Sequence, residues 1–224
     1  MKVAVAWSGG KDSCYACYKA GEEGFEIHSL LTMMNNHGES NFHMLNEDML
    51  NAQSTAIGIP IVKNKTTLQT YEFNFKKALK QLRTTGIEGL VTGDIFNVAN
   101  HEPGWLERVC RETDMKPIRP LWCRNTRQVF EEFISLGFKA TVVRIKLGLL
   151  GEEFLGRTLD KEFCSELAKL ENVDPCGERG EYHTLVTDGP SFKDRIEILE
   201  KRKSTTNGWG RLEITRFQLK PKGS

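Results

Sequence analysis

The chain has 224 residues, with 31 Lys and Arg against 30 Asp and Glu for a formal net charge of +1, and is 39% hydrophobic and 27% charged. That balance describes a folded globular chain with a real core; it excludes a disordered polyelectrolyte and argues against an extensive electrostatic grip on nucleic acid. No apolar run approaches the roughly 20 residues that a spanning helix needs, and the first residues enter a strand at once, so the expectation is no membrane contact, no signal peptide and a cytoplasmic location.

Val3-Ala4-Val5-Ala6-Trp7 is an uninterrupted apolar run, the pattern of a strand covered on both faces. It stops at Ser8-Gly9-Gly10, and Asp12-Ser13 reads as the opening of a helix to about Glu23. Strand, glycine turn and helix make an anion site: N–H groups converge, the helix dipole adds positive potential, and Lys11 adds a full charge. A Walker A loop would need Gly where Val5 stands and Ser or Thr where Asp12 stands, and no G-x-G-x-x-G follows the strand.

A second strand is expected over Ile27 to Met34, followed by a polar stretch from Asn35 to Asn46, with His37, Phe42 and His43, long enough for a flap. A helix from Glu47 ends at Gly58, and Ile59 to Val62 is a third strand. Tyr71, Phe75, Ala78, Leu79 and Leu82 recur at helical spacing, with lysines on the other side. Gly89 to Asp94 reads as a fourth strand that delivers Asp94. A helix over 104–114, a strand over 117–122 and a helix over 126–136 continue the alternation. The rhythm then breaks, with a strand over 140–145, glycines at 148, 151 and 156, a helix over 158–170, and strands near Ile196 and over 212–219.

This order predicts an α/β, doubly wound parallel sheet over residues 1–137 and a smaller α+β domain over 138–224. Ligands in such sheets sit at the carboxyl ends of the strands, so Ser8 to Ser13 and Gly93-Asp94 are expected to face one another. Asp94 reads equally well as a helix cap. Six cysteines are scattered; Cys14 and Cys17 form one CxxC on the first helix without a second pair, so buried thiols are expected. Gly177 to Thr184 concentrates Glu178, Glu181 and His183 on a glycine-hinged segment. Such groups suit magnesium or ammonium binding or a general base, and equally a charged surface turn.

Ser8-Gly9-Gly10-Lys11-Asp12-Ser13 after an N-terminal strand resembles the pyrophosphate loop of N-type ATP pyrophosphatases, which cleave ATP between the α and β phosphates. Cys176 to Thr184 followed by Asp188-Gly189-Pro190-Ser191-Phe192 is similar to the signature of the diphthine–ammonia ligase family. Gly93-Asp94-Ile95, Val109-Cys110, Pro120-Leu121-Trp122 and Leu155 to Asp160 add to that likeness. The resemblance implies a sheet of adenine nucleotide alpha hydrolase-like type with strand order 3-2-1-4-5, ATP and magnesium as cofactors, and adenylation of the diphthine carboxylate on translation elongation factor 2, followed by displacement of AMP by ammonia.

In that reading Ser8, Gly9, Gly10, Lys11, Asp12, Ser13, Gly93 and Asp94 bind nucleotide, and Asp12 and Asp94 are candidate metal ligands. Lys11, Asp12, Glu178, Glu181 and His183 are the candidate catalytic residues, with the base undecided between Glu181 and His183. Position 2 is Lys2 rather than the cysteine of an N-terminal-nucleophile glutaminase, so free ammonium is the expected donor. Homodimerisation stays open. Phe96 to Gly104 departs from the family's charged run. The alternatives are a related pyrophosphatase that adenylates a metabolite or RNA, and a non-catalytic adenine nucleotide-binding protein.

Overall fold

The computed structural model describes residues 1–40, 43–96 and 102–223; Phe42 of the expected flap and residues 97–101 of the departing stretch lie outside them. The chain divides into two compact units. The first comprises Met1–Ser8, Asp12–Thr55 and Ile59–Cys123, and the second Gly9–Lys11, Ala56–Gly58 and Arg124–Ser224.

In the first unit, β1 (Lys2–Ala6), β2 (Glu26–Met34), β3 (Ile61–Lys65), β4 (Gly89–Val91) and β5 (Lys116–Ile118) form a five-stranded sheet. Its order is β3-β2-β1-β4-β5 and every pair is parallel. Val3, Ala4 and Val5 pair with Gly89, Leu90 and Val91, and all six are buried, which is why these segments read as continuous apolar runs. The helices are α1 (Lys11–Glu22), α2 (Glu47–Ile57), α3 (Tyr71–Thr84) and α4 (Trp105–Glu112). Phe75, Ala78, Leu79 and Leu82 of α3 join Leu106, Val109 and Cys110 of α4 over Ala4, Leu31 and Leu90. Trp7, just past β1, is pinned by Thr32 Oγ1, which donates to its carbonyl at 2.7 Å, and by its own indole N–H to Gln53 Oε1 at 3.1 Å.

The doubly wound sheet and its order are as expected, with four changes, the first being that β3 runs over Ile61–Lys65 rather than 59–62. The first helix begins two residues earlier, at Lys11. β4 ends at Val91, so Asp94 stands beyond the strand rather than on it. The expected strand over 117–122 is only Lys116–Ile118.

The second unit holds α5 (Thr126–Ser135), β6 (Lys139–Lys146), a 3-10 turn at Glu152–Phe154, α6 (Lys161–Leu167), β7 (Tyr182–Asp188), β8 (Asp194–Thr206) and β9 (Trp209–Pro221). Its antiparallel sheet has the order β7-β6-β9-β8. The longest segment of this unit starts at Arg124, ahead of the expected boundary of 137/138, and α5 packs inside it: Phe130 stacks 6.2 Å from Phe163, and Phe133 4.7 Å from Phe138. Asp160 caps α6 by accepting the Phe163 N–H at 2.8 Å, so this helix is shorter than the expected 158–170. β8 and β9 form a long hairpin closed by Asn207 and Gly208, both at positive φ (50° and 78°), the type I′ pattern that Asn-Gly favours.

Candidate active site

The loop after β1 is built from its own polar groups. Ser13 Oγ accepts the Ser8 N–H at 3.3 Å and lies 3.1 Å from Ser8 Oγ, closing the turn across the start of α1. Gly9 turns the chain at φ +80°, a conformation that glycine adopts without strain. Gly93 has a different reason to be glycine. A Cβ there would stand 2.5 Å from the Asp12 carbonyl carbon and 2.8 Å from the Ser13 nitrogen, so the segment after β4 lies directly against the first turn of α1.

That contact brings Asp12 and Asp94 within electrostatic reach of one another. Burial raises the Asp94 carboxyl above its usual range; Thr92 and Arg119 lower it, and the charges of Asp12 and Glu107 raise it further. Burial, with the nearby Asp94 charge, likewise raises the Tyr71 phenol. Two mutually repelling carboxylates are a hard oxygen donor pair of the sort that suits magnesium, which takes one or two carboxylates and completes its shell with water and phosphate oxygens. Among the described residues no group of three or more His, Cys, Asp and Glu side chains forms a metal cluster.

Gly9–Lys11 belongs to the second unit, and its contacts there are specific. Val186 N–H donates to the Gly9 carbonyl at 3.0 Å, and Lys11 N–H to Thr184 Oγ1 at 3.0 Å. The Lys11 ammonium, on a side chain in a residue only 4% exposed, donates to the Cys176 carbonyl and lies 5.6 Å from the centre of the Tyr182 ring. The two motifs read separately from the sequence are thus joined through hydrogen bonds.

Within the second motif the three candidate groups have different settings. Glu181 is fully buried, and both carboxylate oxygens accept backbone N–H groups, from Asp174 at 2.7 Å and Arg179 at 2.8 Å. This is the geometry of a loop holder rather than of a base that takes a proton from an amine. His183 follows Tyr182 on β7, so strand alternation sends it to the opposite face from Tyr182 and Thr184. Its ring stacks on Trp209 at 6.2 Å, and the Arg144 guanidinium lies 3.9 Å from the centre of the same indole. Glu178 is half-buried on the intervening turn.

The family model of the diphthamide synthase N-terminal domain matches residues 1–117, and that of the C-terminal domain matches residues 125–219. The chain belongs to the diphthamide synthase family. The diphthine–ammonia ligase of Homo sapiens is 29% identical over 225 residues, spanning 88% of this chain and 83% of that protein; its Mus musculus counterpart is 28% identical with the same coverage. A solved structure described as a predicted subunit of tRNA methyltransferase from Methanocaldococcus jannaschii shares the fold, with a TM-score of 0.50 at 15% identity over 85% of this chain and 98% of that one.

In this diphthamide synthase-family chain the sequence left Asp174, Thr126 and Thr184 without roles. Asp174 is a hub: its carboxylate accepts the Cys176 N–H at 2.7 Å and the Thr126 hydroxyl at 2.8 Å. The available signal was Asp174-Pro175 ahead of Cys176-Gly177, a turn-forming run in which Asp bonds the backbone two residues on. Cys14 and Cys17 are buried thiols; burial, with neighbouring Cys17 and Asp12, raises Cys14, and burial raises Cys17 to about 12. Among the described residues no helix is long and apolar enough to cross a membrane.

Proposed function

We propose that this chain is an ATP-dependent acid–ammonia ligase that adenylates the carboxylate of diphthine on translation elongation factor 2 and converts it to the amide of diphthamide, with ammonium as donor and AMP and pyrophosphate as products. The observation that carries the reading is the direct hydrogen bonding of the phosphate-loop lysine to the Cys176–Thr184 segment, within a chain matched along most of its length by the two diphthamide synthase domains. The named relatives are ligases of diphthine and ammonia. Elongation factor 2 as the carrier, and a homodimeric assembly, are the further parts of this proposal.

The chemistry follows from the groups present. A carboxylate resists ammonia because oxide is a poor leaving group, and AMP replaces it with a good one. Ser8, Gly9, Gly10, Asp12 and Ser13 offer backbone at the start of α1, where the dipole favours phosphate, and Lys11 adds charge to stabilise the departing pyrophosphate. Asp12 and Asp94, with Gly93 packed against the helix turn, fit magnesium; when bound, the ion neutralises polyphosphate charge and relieves the repulsion between the two carboxylates. Glu181 accepts two backbone N–H groups and holds the loop, and Glu178 and His183 on the same segment are the groups proposed to orient ammonium and accept its proton.

The test is incubation with magnesium-ATP and ammonium, with and without elongation factor 2 carrying diphthine, while AMP, pyrophosphate and amide are followed. Amide and AMP formed only with that acceptor support the proposal. AMP formed regardless of it points to another acceptor, and tight ATP binding without cleavage points to a nucleotide-sensing protein.

A further inference from the structure

We propose that Asp174 and Glu181 act together as a carboxylate clasp that positions the phosphate-loop lysine, a role that rests on the ligase reading for its catalytic consequence but not for its structure. Glu181 ties the Asp174 and Arg179 N–H groups to one buried carboxylate, at 2.7 and 2.8 Å, and so closes the turn between them. Asp174 fixes the middle of that turn through the Cys176 N–H at 2.7 Å, and anchors it to the start of α5 through the Thr126 hydroxyl at 2.8 Å. The Cys176 thiol adds a second tie, donating to the Thr126 carbonyl at 3.1 Å. The Gly177 N–H, which shares a peptide plane with the Cys176 carbonyl, donates to the Asp174 carbonyl at 2.9 Å and orients that plane, and the Cys176 carbonyl receives the Lys11 ammonium.

The Cys176 carbonyl sets a neutral dipole against the cation, and the face of the Tyr182 ring lies 5.6 Å from it. Gly177 completes the device: at φ +72° it adopts a turn that other residues resist, and a Cβ there would meet the Tyr182 carbonyl oxygen at 2.9 Å. Neither clasp carboxylate touches the reacting atoms in this scheme; both act through Lys11, as positioning residues.

Two measurements on the full chain decide it. Glu181→Gln replaces one acceptor oxygen by an NH2 that opposes a backbone N–H, and Asp174→Ala removes both acceptor oxygens at its own site. The first measurement is the rate of Lys11 acetylation by an amine-reactive ester, read by peptide mass spectrometry. In wild type Lys11 is slow relative to exposed Lys80 and Lys139; in either variant its rate rises about tenfold, the scale of a lost charge-assisted bond, while Cys164 of the same unit stays protected. Loss of Cys164 protection in one variant marks unfolding and moves the decision to the other. Unchanged Lys11 acetylation in a folded variant overturns the clasp.

The second measurement is the Kd of a fluorescent ATP analogue in a double-mutant cycle with Lys11→Ala. Each single variant weakens binding about tenfold and the double variant is no weaker than Lys11→Ala alone; additive losses overturn the positioning role. A wild-type chain that fails to bind the analogue counts against the ligase proposal alone, because acetylation reports on the clasp without ATP.

Discussion

An ammonium in a residue that is 4% exposed is costly to bury unless dipoles hold it, and Lys11 has the Cys176 carbonyl and the Tyr182 ring. Lys11→Ala removes that charge from the loop without disturbing the strand before it. AMP formation should fall by about 10²-fold or more, as for other lost charge-stabilising donors, with a cooperative thermal transition retained; unchanged turnover would remove Lys11 from the mechanism. Asp94 has the opposite economy. Its carboxyl is raised by burial, so it contributes most stability when protonated and loses it as pH rises from the unfolded pKa through the folded one. Asp94→Asn should therefore raise Tm at neutral pH in the absence of magnesium, with the gain vanishing in acid, where both side chains are neutral. A melting series across pH checks this, and a lowered neutral Tm would contradict it.

At the scale of elements, small residues decide how closely the neighbours of α1 and of β7 come. Gly93 allows contact with the backbone of Asp12 and Ser13, which cannot yield to a methyl group. Gly189, just past β7, faces a softer obstacle: a Cβ would stand 2.2 Å from the Phe138 ring, itself stacked on Phe133. Gly189→Ala should destabilise the second unit by about 1–3 kcal/mol through overpacking, measured as a lower denaturation midpoint at unchanged slope. The β8–β9 hairpin was only partly legible. Its apolar positions marked strands near Ile196 and over 212–219. Its full extent was hidden because Lys201 to Thr206 are exposed, and their strand character comes from pairing with β9 rather than from apolar alternation.

Across the whole molecule, the six cysteines test the packing. Cys14, Cys17, Cys110, Cys164 and Cys176 are buried free thiols and Cys123 is exposed, so a thiol reagent should find one fast site in the native chain and all six after denaturation. A second fast thiol would show that the CxxC of α1 is accessible after all. The parallel sheet was legible because buried β-strands leave unbroken apolar runs and the helices between them repeat every three to four residues. The unit boundary was not, because α5 has the same amphipathic pattern whichever core receives it; only the stacking of Phe130 and Phe133 on Phe163 and Phe138 assigns it to the second unit. By itself the sequence determined the parallel-sheet class and the family, since these reside in local pattern and residue identity. Tertiary structure alone decided that Glu181 holds two backbone N–H groups and that a carbonyl of that motif holds Lys11. Hydrogen bonds between residues 165 positions apart depend on how the chain closes on itself, and no local spacing records them.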